Sequence, residues 1–283
     1  MGRTVTIQAS RWKLAGASII GKQHEVAGGQ CEDAWSSVRR ALPCGHEVLA
    51  VCVSDGAGSV ANGRVGAQMT SRVLANWLAE NVEKVFSSVE DDKKWSIAST
   101  LKRVLRRAAE RNGCEIKSYA CTVVAILTVT DGRWLTVHLG DGAIVGRFGD
   151  NLKAVSVPRK GEFANETFFI TDNDAAESLD IQESSNYETN LPASAFAMFT
   201  DGVESSLVNR RSGEVSRSLS DMFGWLSTNS EQDVSEALEN NIRQVFRQRT
   251  GDDCSLAIVV QESPNETPAE PVTSSAVSVS DST

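Results

Sequence analysis

Three strongly apolar segments of this 283-residue chain run directly into the dipeptide Asp-Gly. They are LAVCVSDGAGS at residues 49–59, WLTVHLGDGA at 134–143 and FAMFTDGVES at 196–205. Each apolar run fits a buried β-strand, and the end of a strand is a rigid support for the carboxylate that follows. A glycine after the aspartate lets the backbone turn sharply, so that a carbonyl can face the same point as the carboxylate. Such oxygen ligands suit a hard divalent cation.

Two further acidic pairs flank strand-like runs. Glu32 and Asp33 precede AWSSV, and Asp252 and Asp253 precede CSLAIVV. Any single Asp-Gly is more typical of a turn than of a metal ligand. Five acidic sites at the ends of apolar strands would repel one another if the fold brought them together, unless cations neutralised them. The residues alone therefore suggest a metal site.

The order of the predicted elements indicates a layered α+β domain. Strand-like runs rich in β-branched or aromatic residues occur at 4–8, 16–20, 34–40, 47–54, 120–129, 133–140, 143–149, 166–171, 194–200 and 255–261. Helical periodicity occurs in two pairs of segments, 62–86 with 95–112, and 214–226 with 230–248. Two apolar faces are predicted, one of Val65, Met69, Val73 and Trp77 and one of Val234, Leu238, Ile242 and Val245. Ser230 and Asp233 form a plausible capping pair for the last helix. Strands in blocks and helices in pairs predict two stacked antiparallel sheets with helix pairs outside.

Composition and charge restrict the class of partner. The chain is 41% hydrophobic and 23% charged, which is ordinary for a globular protein, and its net charge of −9 argues against binding to nucleic acid or to an anionic membrane. The basic stretch at 101–112 is interpreted as the solvated face of an amphipathic helix. No apolar run has membrane-spanning length and no secretion signal is evident, so we predict a cytoplasmic protein.

The cysteines and the C-terminal segment are interpreted from composition. The six cysteines are scattered without a C-x-x-C pair, which favours buried thiols over a zinc site or a disulfide framework. Residues 263–283 are rich in Ser, Thr, Pro and Glu and are predicted to be a disordered tail, since they cannot bury enough apolar surface to offset the entropy of ordering. Residues 1–262 are then one folded domain.

Six segments together carry a family resemblance. CEDAW, VSDGAGS, ACTVVAI, HLGDGAIVGRF, FTDGVE and GDDCSLAIV occur in this order between about residues 16 and 261. In order and approximate spacing they resemble the signature segments of metal-dependent serine/threonine protein phosphatases of the type 2C class, the PPM family. GKQHEVAGGQCEDA and GEFANETFFIT look most like a bacterial subgroup of that family. One Asp-Gly is a weak signal, but six ordered segments are specific.

The resemblance implies an αββα sandwich with a two-metal centre at one edge of the stacked sheets. Asp55 would bridge two Mn²⁺ or Mg²⁺ ions, and the Gly56 carbonyl and Glu32 would bind one of them. Asp201 and Asp252 would hold the other. The remaining implied roles are a second-shell contact through water for Asp33 and a contribution to a third, weaker metal for Asp141.

The resemblance also implies the reaction. Two cations lower the pKa of a shared water, and the resulting bridging hydroxide attacks phosphorus without a covalent enzyme intermediate. No nucleophile motif such as G-x-S-x-G is then needed, and none is present. The implied substrates are phosphoserine and phosphothreonine in proteins that a cognate serine/threonine kinase phosphorylates, with neither nucleic acid nor membrane as a partner.

The sequence departs from the family pattern at two positions. Eukaryotic members carry a histidine, a proposed general acid, where this chain has Ala57, and a phosphate-binding arginine where it has Gly28. His24 lies nearby in sequence and is a candidate for either role, since histidine can donate a proton near neutral pH. The alternative is a surface histidine or one held by structural hydrogen bonds.

Three other polar residues have competing interpretations. His138 lies in the middle of a strand and is interpreted as packed, and Lys22 as an exposed lysine with a possible phosphate contact. Residues 159–171 fall where the family has a variable flap, so Asn165 would help to position substrate. The alternative is a hairpin turn that leads into a strand at 168–170.

Two other functions stay open. One is a different two-metal phosphoesterase, such as a nuclease, although the acidic charge disfavours nucleic acid. The other is a catalytically impaired relative that acts as a regulatory binding module. Retention of Glu32, Asp55, Asp201 and Asp252 argues against the second alternative, whereas the missing histidine and arginine favour it.

Overall fold

The computed structural model describes residues 11–158, 167–187, 189, 191–209 and 212–262. The predicted strand at 4–8, the candidate Asn165 and the predicted tail at 263–283 lie outside the described residues.

Ten strands form two five-stranded antiparallel sheets. The strands are β1 (Trp12–Ile19), β2 (Ala34–Ala41), β3 (Glu47–Ser54), β4 (Val123–Val129), β5 (Trp134–Leu139), β6 (Ala143–Phe148), β7 (Asn151–Ser156), β8 (Asp180–Glu183), β9 (Ala193–Phe199) and β10 (Cys254–Gln261). The first sheet has the order β1-β10-β9-β6-β7 and the second has the order β2-β3-β4-β5-β8. Each sheet therefore combines strands from distant parts of the chain.

Eight α-helices accompany the sheets in the described part of the chain. They are α1 (Lys22–Val26), α2 (Gly63–Glu80), α3 (Val82–Ser87), α4 (Glu90–Asn112), α5 (Ala175–Ser178), α6 (Asp201–Leu207), α7 (Ser218–Thr228) and α8 (Glu231–Gln244). Two short 3₁₀ helices cover Ile116–Tyr119 and Phe246–Gln248. Helices α2 and α4 pack on the second sheet, and α7 and α8 pack on the first.

Both faces of the central strands are buried, which explains their unbroken apolar sequences. In β3, Val51 and Val53 pack between the two sheets, while Ala50 and Cys52 face the helix layer. Successive side chains of a strand point to opposite faces. A strand that lies between two apolar layers therefore buries both sets of side chains, and its sequence is a continuous apolar run. The predicted four-layer αββα sandwich of class α+β is confirmed.

Helix α8 begins as its sequence predicts. The Ser230 hydroxyl oxygen accepts the Asp233 N–H at 3.1 Å and donates to the Asp233 carboxylate at 2.7 Å. Val234, Leu238 and Ile242 then form its buried face. This cap satisfies one of the N–H groups that the first turn of a helix leaves without a partner.

Some predicted apolar faces are displaced. The periodic segment 62–86 is two helices, α2 and α3, separated at Asn81, and Val65 is exposed because the buried face of α2 runs through Ala67, Leu74 and Leu78. Val245 is also exposed, since α8 ends one residue before it. A spacing of four residues exceeds the 3.6-residue period of a helix, so a face predicted from that spacing drifts around the helix by about one residue.

The predicted strand at 166–171 is wrong. Thr167–Phe169 has no regular structure, and Ile170 and Thr171 lie in a turn. Ile170 is fully buried, and its N–H donates to the Cys121 carbonyl at 3.0 Å. The segment is apolar because it covers the end of the second sheet, and not because it pairs as a strand. The edge strands β7 and β8 were not predicted, since both contain several polar, partly exposed residues.

The remaining compositional predictions have separate outcomes. Arg103, Arg106 and Arg107 are exposed on α4, as expected for a solvated face. None of the six cysteines, all among the described residues, forms a disulfide, and three of them are buried while Cys44 is exposed. No helix in the described part of the chain is both long enough and apolar enough to span a bilayer.

Candidate metal centre

One end of the sandwich brings the acidic strand ends together around a small cavity. The cavity has a volume of about 210 Å³. Its wall includes every side chain or carbonyl predicted to bind metal, namely Glu32, Asp55, Gly56, Asp141, Asp201 and Asp252, and it also includes His24. These residues are spread over more than 220 positions of sequence, so the convergence is a product of the fold.

Three of the carboxylates are especially close. One oxygen from each of Asp55, Asp141 and Asp201 lies within 4.8 Å of the other two. Glu32 and Asp252 line the same cavity outside this triad. The family resemblance groups Asp201 with Asp252 and sets Asp141 apart, whereas the structure brings Asp141 together with Asp55 and Asp201.

The backbone of Asp55 is held by the start of the neighbouring strand. The Thr122 N–H donates to the Asp55 carbonyl at 2.8 Å, and the Thr122 hydroxyl oxygen accepts the Asp55 N–H at 3.0 Å. The Ser54 hydroxyl in turn donates to the Thr122 carbonyl at 2.6 Å. Because both main-chain groups of Asp55 are engaged, its carboxylate is directed from a fixed position.

The glycines of two Asp-Gly pairs allow close packing of the main chain. A Cβ atom on Gly202 would lie 1.9 Å from the Asp253 carbonyl oxygen, and one on Gly56 would lie 2.4 Å from the Gly63 carbonyl carbon. Neither glycine has a positive φ, and Asp201 is the first residue of α6. Main-chain contact, and not a left-handed conformation, therefore requires glycine at both sites.

Asp33 lies behind the cavity wall. It is only 5% exposed, and its Oδ2 accepts a hydrogen bond from the Thr200 hydroxyl at 2.8 Å. The Thr200 oxygen also accepts the Ser255 N–H at 3.0 Å. Burial raises the pKa of Asp33 from 3.8 to about 7, against the opposing effect of the Thr200 hydrogen bond and with a further increase from the charge of Asp253.

The electrostatics of the cavity favour bound cations. Burial raises the pKa of Asp55 well above its usual range, and the charges of Asp33, Asp201, Asp141 and Asp252 raise it further. Burial also raises the pKa of Glu32. Its Oε2 atom is buried and has no hydrogen-bond partner among the described residues. Hard divalent cations would supply both the missing ligand contact and the missing positive charge. The residues present therefore fit Mn²⁺ or Mg²⁺.

His24 lines the cavity and lies against a carboxylate that the sequence reasoning did not assign. Its Nδ1 is 3.1 Å from Oδ2 of Asp253, a buried residue. Burial lowers the pKa of His24, but the hydrogen bond and charge of Asp253, with the charges of Glu32 and Asp252, raise it above 6.5 overall. Asp252 and Asp253 therefore point to different surroundings, as expected for neighbours at the start of a strand.

The other candidate polar residues are placed as follows. His138 is buried, and its Nδ1 lies 2.6 Å from the Ser156 hydroxyl, which donates to Asp180. His138 is thus packed, as predicted. Lys22 is exposed and donates to Gln248. Of the predicted flap at 159–171, residues 167–171 are described. The Thr167 hydroxyl donates to Asp141 at 2.8 Å.

A second cavity adjoins the metal centre. It has a volume of about 810 Å³ and shares Asp201 with the smaller cavity. Its wall is formed by α6 and the following segment, including Ser205, Asn209, Glu214 and Ser216. The groove was not predicted, and its lining includes Val208 and Val215, which form an isolated antiparallel bridge.

Comparisons with known proteins agree with this architecture. The profile of the family "Protein phosphatase 2C" matches residues 20–243. Serine/threonine-protein phosphatase 3 of Escherichia coli (strain K12) is 31% identical over 198 residues, which cover 70% of this chain and 76% of that protein.

Solved structures show the same fold at low sequence identity. Serine/threonine phosphatase Stp1 from Staphylococcus aureus superposes with a TM-score of 0.58 and 13% identity, covering 93% of this chain and all of that chain. The catalytic domain of the serine/threonine protein phosphatase PstP, in complex with two manganese ions, has a TM-score of 0.57 and 15% identity, covering 90% of this chain and all of that one. The chain therefore belongs to the protein phosphatase 2C family and is a phosphatase.

Proposed function

We propose that this enzyme hydrolyses phosphoserine and phosphothreonine in proteins, with two Mn²⁺ or Mg²⁺ ions held in the small cavity. The carrying observation is the approach of Asp55, Asp141 and Asp201 to within 4.8 Å, with Glu32 and Asp252 on the same wall. Asp55, whose carboxylate belongs to this triad, is assigned to both ions.

Each of the other ligands of these two ions is assigned to one ion or to the other. Glu32 and the Gly56 carbonyl are assigned to one ion, and Asp201 and Asp252 to the other. Asp141 would contribute to a third, weaker site. When bound, the cations would neutralise the carboxylates, polarise the phosphate and provide a water of lowered pKa for a direct attack on phosphorus.

The residues around the ligands orient them. Thr122 fixes the main chain of Asp55, and Thr200 fixes the buried carboxylate of Asp33. Asp33 is buried and does not line the cavity, so we assign it a contact with the metals through water and not a direct one. Such supporting contacts restrict ligand motion, and their loss typically weakens a metal site about 10- to 100-fold.

His24 is the assigned proton donor. Hydrolysis forms a bond from a water oxygen to phosphorus and breaks the bond to the serine oxygen, which leaves with the electron pair. A proton from His24 Nε2 would neutralise that oxygen, and solvent would restore the proton after the product leaves. His24 lies on the cavity wall, and this chain has Ala57 where eukaryotic members have the histidine proposed as general acid. His24 would therefore supply the proton donor that Ala57 cannot.

The larger groove favours a polypeptide substrate. Its volume of about 810 Å³ is far larger than a phosphate requires, and it reaches the metal centre at Asp201. We propose that the substrate chain lies there while its phosphorylated side chain enters the smaller cavity. The implied substrates are targets of a cognate serine/threonine kinase, and the proposed location is the cytoplasm.

The test is hydrolysis of a phosphothreonine peptide with added Mn²⁺ by wild type, Asp55→Asn and Asp201→Asn. Asp91→Asn is a matched control, because Asp91 is exposed on α4. We expect each of the first two substitutions to reduce kcat/KM by at least about 100-fold, since a ligand should matter at least as much as its supporting residues. The control should retain wild-type activity.

Two outcomes would overturn the proposal. Wild type that hydrolyses neither the peptide nor p-nitrophenyl phosphate, yet binds Mn²⁺ through Asp201, would indicate a binding module. Cleavage of DNA or RNA without action on the peptide would indicate a different two-metal phosphoesterase.

A further inference from the structure

We infer that Asp253 is a positioning residue that fixes the imidazole of His24 with Nε2 directed at the metal cavity, while it anchors the main chain of Glu32. This inference rests on the proposed phosphatase function. It concerns a side chain that lies next to a candidate metal ligand in sequence but has a different structural role.

Both oxygens of Asp253 are engaged by the protein. Oδ1 accepts the Gly21 N–H at 2.6 Å. Oδ2 accepts the Glu32 N–H at 2.5 Å and lies 3.1 Å from His24 Nδ1. The residue is 2% exposed and does not line the cavity. The main-chain N–H groups of Gly21 and Glu32 therefore hold its carboxylate, and the His24 ring lies within ion-pair distance of it, whereas Asp252 faces the cavity.

The segment that carries His24 is held rigidly against the loop before β10. The Gln23 N–H donates to the Gly251 carbonyl at 3.0 Å, and the Gly29 N–H donates to the His24 carbonyl at 2.8 Å. A Cβ atom on Gly21 would lie 2.3 Å from the Asp252 carbonyl carbon. Asp253 thus acts on a main chain that is already fixed, and the remaining freedom of His24 is rotation of its ring.

The ring orientation follows from the two sides of His24. Nδ1 faces Asp253, so Nε2 lies on the opposite side of the imidazole. A Cβ atom built on Gly58 would be 3.8 Å from Nε2 and 3.1 Å from Oε2 of Glu32, which places both atoms beside Gly58 on the cavity wall. In this geometry Asp253 retains the proton on Nδ1 while Nε2 delivers its proton to the leaving oxygen.

The activity test compares two leaving groups in wild type, Asp253→Asn, His24→Ala and the double variant. p-Nitrophenolate leaves without a proton, whereas the threonine oxygen of a phosphopeptide requires one. We expect Asp253→Asn to lower kcat for the phosphopeptide by about 10- to 100-fold with little change in KM. At saturating Mn²⁺ the rate with p-nitrophenyl phosphate should fall by a clearly smaller factor, which reflects only the contact of Asp253 with Glu32, and in the His24→Ala background Asp253→Asn should lower both rates by that same smaller factor.

A second measurement does not depend on activity. Nitrogen NMR of the metal-free protein, at a pH above the His24 pKa, should show the neutral ring protonated on Nδ1, and Asp253→Asn should shift the proton to Nε2. If Asp253→Asn does not fold, the wild-type spectrum alone still decides the tautomer. A wild-type ring protonated on Nε2 would overturn the inference.

The kinetic outcome that overturns the inference is equally specific. Equal losses on both substrates in Asp253→Asn with His24 present would show that Asp253 acts only through Glu32 or through folding. Wild type without any phosphatase activity would instead contradict the proposed function, and the NMR result would still report on Asp253 and His24.

Discussion

Thr122 binds both main-chain groups of Asp55. Its N–H donates to the Asp55 carbonyl at 2.8 Å, and its hydroxyl oxygen accepts the Asp55 N–H at 3.0 Å. The start of β4 thereby fixes the residue that follows β3, at the centre of the carboxylate cluster. A hydroxyl that forms no part of the proposed ligand set thus controls where the central ligand points.

Replacing Thr122 by valine tests this control. The valine keeps the branched shape but leaves the Asp55 N–H without an acceptor, which should reduce the free energy of unfolding by about 1–3 kcal/mol. Mn²⁺ affinity should fall about tenfold, as for other supporting residues. Thr122→Ser is the matched control because it retains the hydroxyl. Chemical denaturation and calorimetric Mn²⁺ titration check both effects, and equal behaviour of the two variants would contradict the assigned role.

The carboxylate cluster predicts an unusual pH dependence for the metal-free protein. The pKa of Asp33 is raised to about 7 in the folded state, and that of Asp55 is also raised, chiefly by burial in both cases. Between the unfolded pKa near 4 and the folded pKa, the folded state binds more protons than the unfolded state. Stability therefore falls as pH rises from about 4 to 7, by up to about 1.4 kcal/mol per pH unit for each such group.

Thermal unfolding at several pH values, with and without Mn²⁺, measures this dependence. Bound cations favour the ionised carboxylates, so Mn²⁺ should remove most of the loss at neutral pH and should release protons as it binds. Metal-free protein that becomes more stable between pH 5 and 7 would show that folding does not raise the pKa values of these carboxylates.

Asp55→Asn should separate stability from metal binding. The substitution removes one charge from the cluster, so the metal-free variant should be more stable than wild type at pH 7.5, by about 1 kcal/mol or more. The same variant should gain little stability from Mn²⁺, whereas wild type should gain about 2.7 kcal/mol at 100 times its dissociation constant. Differential scanning calorimetry gives both values. Destabilised metal-free Asp55→Asn that still responds to Mn²⁺ would be inconsistent with the proposed ligand role.

Two glycine substitutions distinguish close packing from ordinary helical glycine. A Cβ atom on Gly202 would lie 1.9 Å from the Asp253 carbonyl oxygen, whereas one on Gly224 in α7 would meet nothing within 4 Å. Gly202→Ala should therefore lower stability by at least about 2 kcal/mol and reduce activity, because the main chain around Asp201 must shift. Gly224→Ala should be stabilising by about 0.5–1 kcal/mol. Urea unfolding compares them, and a tolerated Gly202→Ala would refute the packing argument.

The fold could be predicted from the sequence because its main signals are local. The apolar runs of β3 and β9 and the capping pair of α8 each identify an element without knowledge of its neighbours. Edge strand β8 could not be predicted, since its four residues, three of them polar, become a strand only by pairing with β5. The apolar segment at 168–170, in which Ile170 is buried, was misassigned for the converse reason, because burial without strand pairing also selects apolar residues.

The sequence predicted which acidic residues come together, but not how they are arranged. All six assigned metal-binding groups line one cavity, because the order of the family segments carries that information. The approach of Asp141 to Asp55 and Asp201 depends on three-dimensional distances, and no spacing encodes it. The roles of Thr122, Thr200 and Asp253 also depend on contacts across the sheets, so their identities alone gave no signal.

The most direct test of the metal centre is anomalous diffraction from crystals soaked in Mn²⁺. We predict anomalous peaks inside the cavity of about 210 Å³, with at least one ion in contact with both Asp55 and Asp201. No peak in that cavity at saturating Mn²⁺, or peaks that contact neither aspartate, would contradict the proposal that these carboxylates converge to hold the catalytic cations.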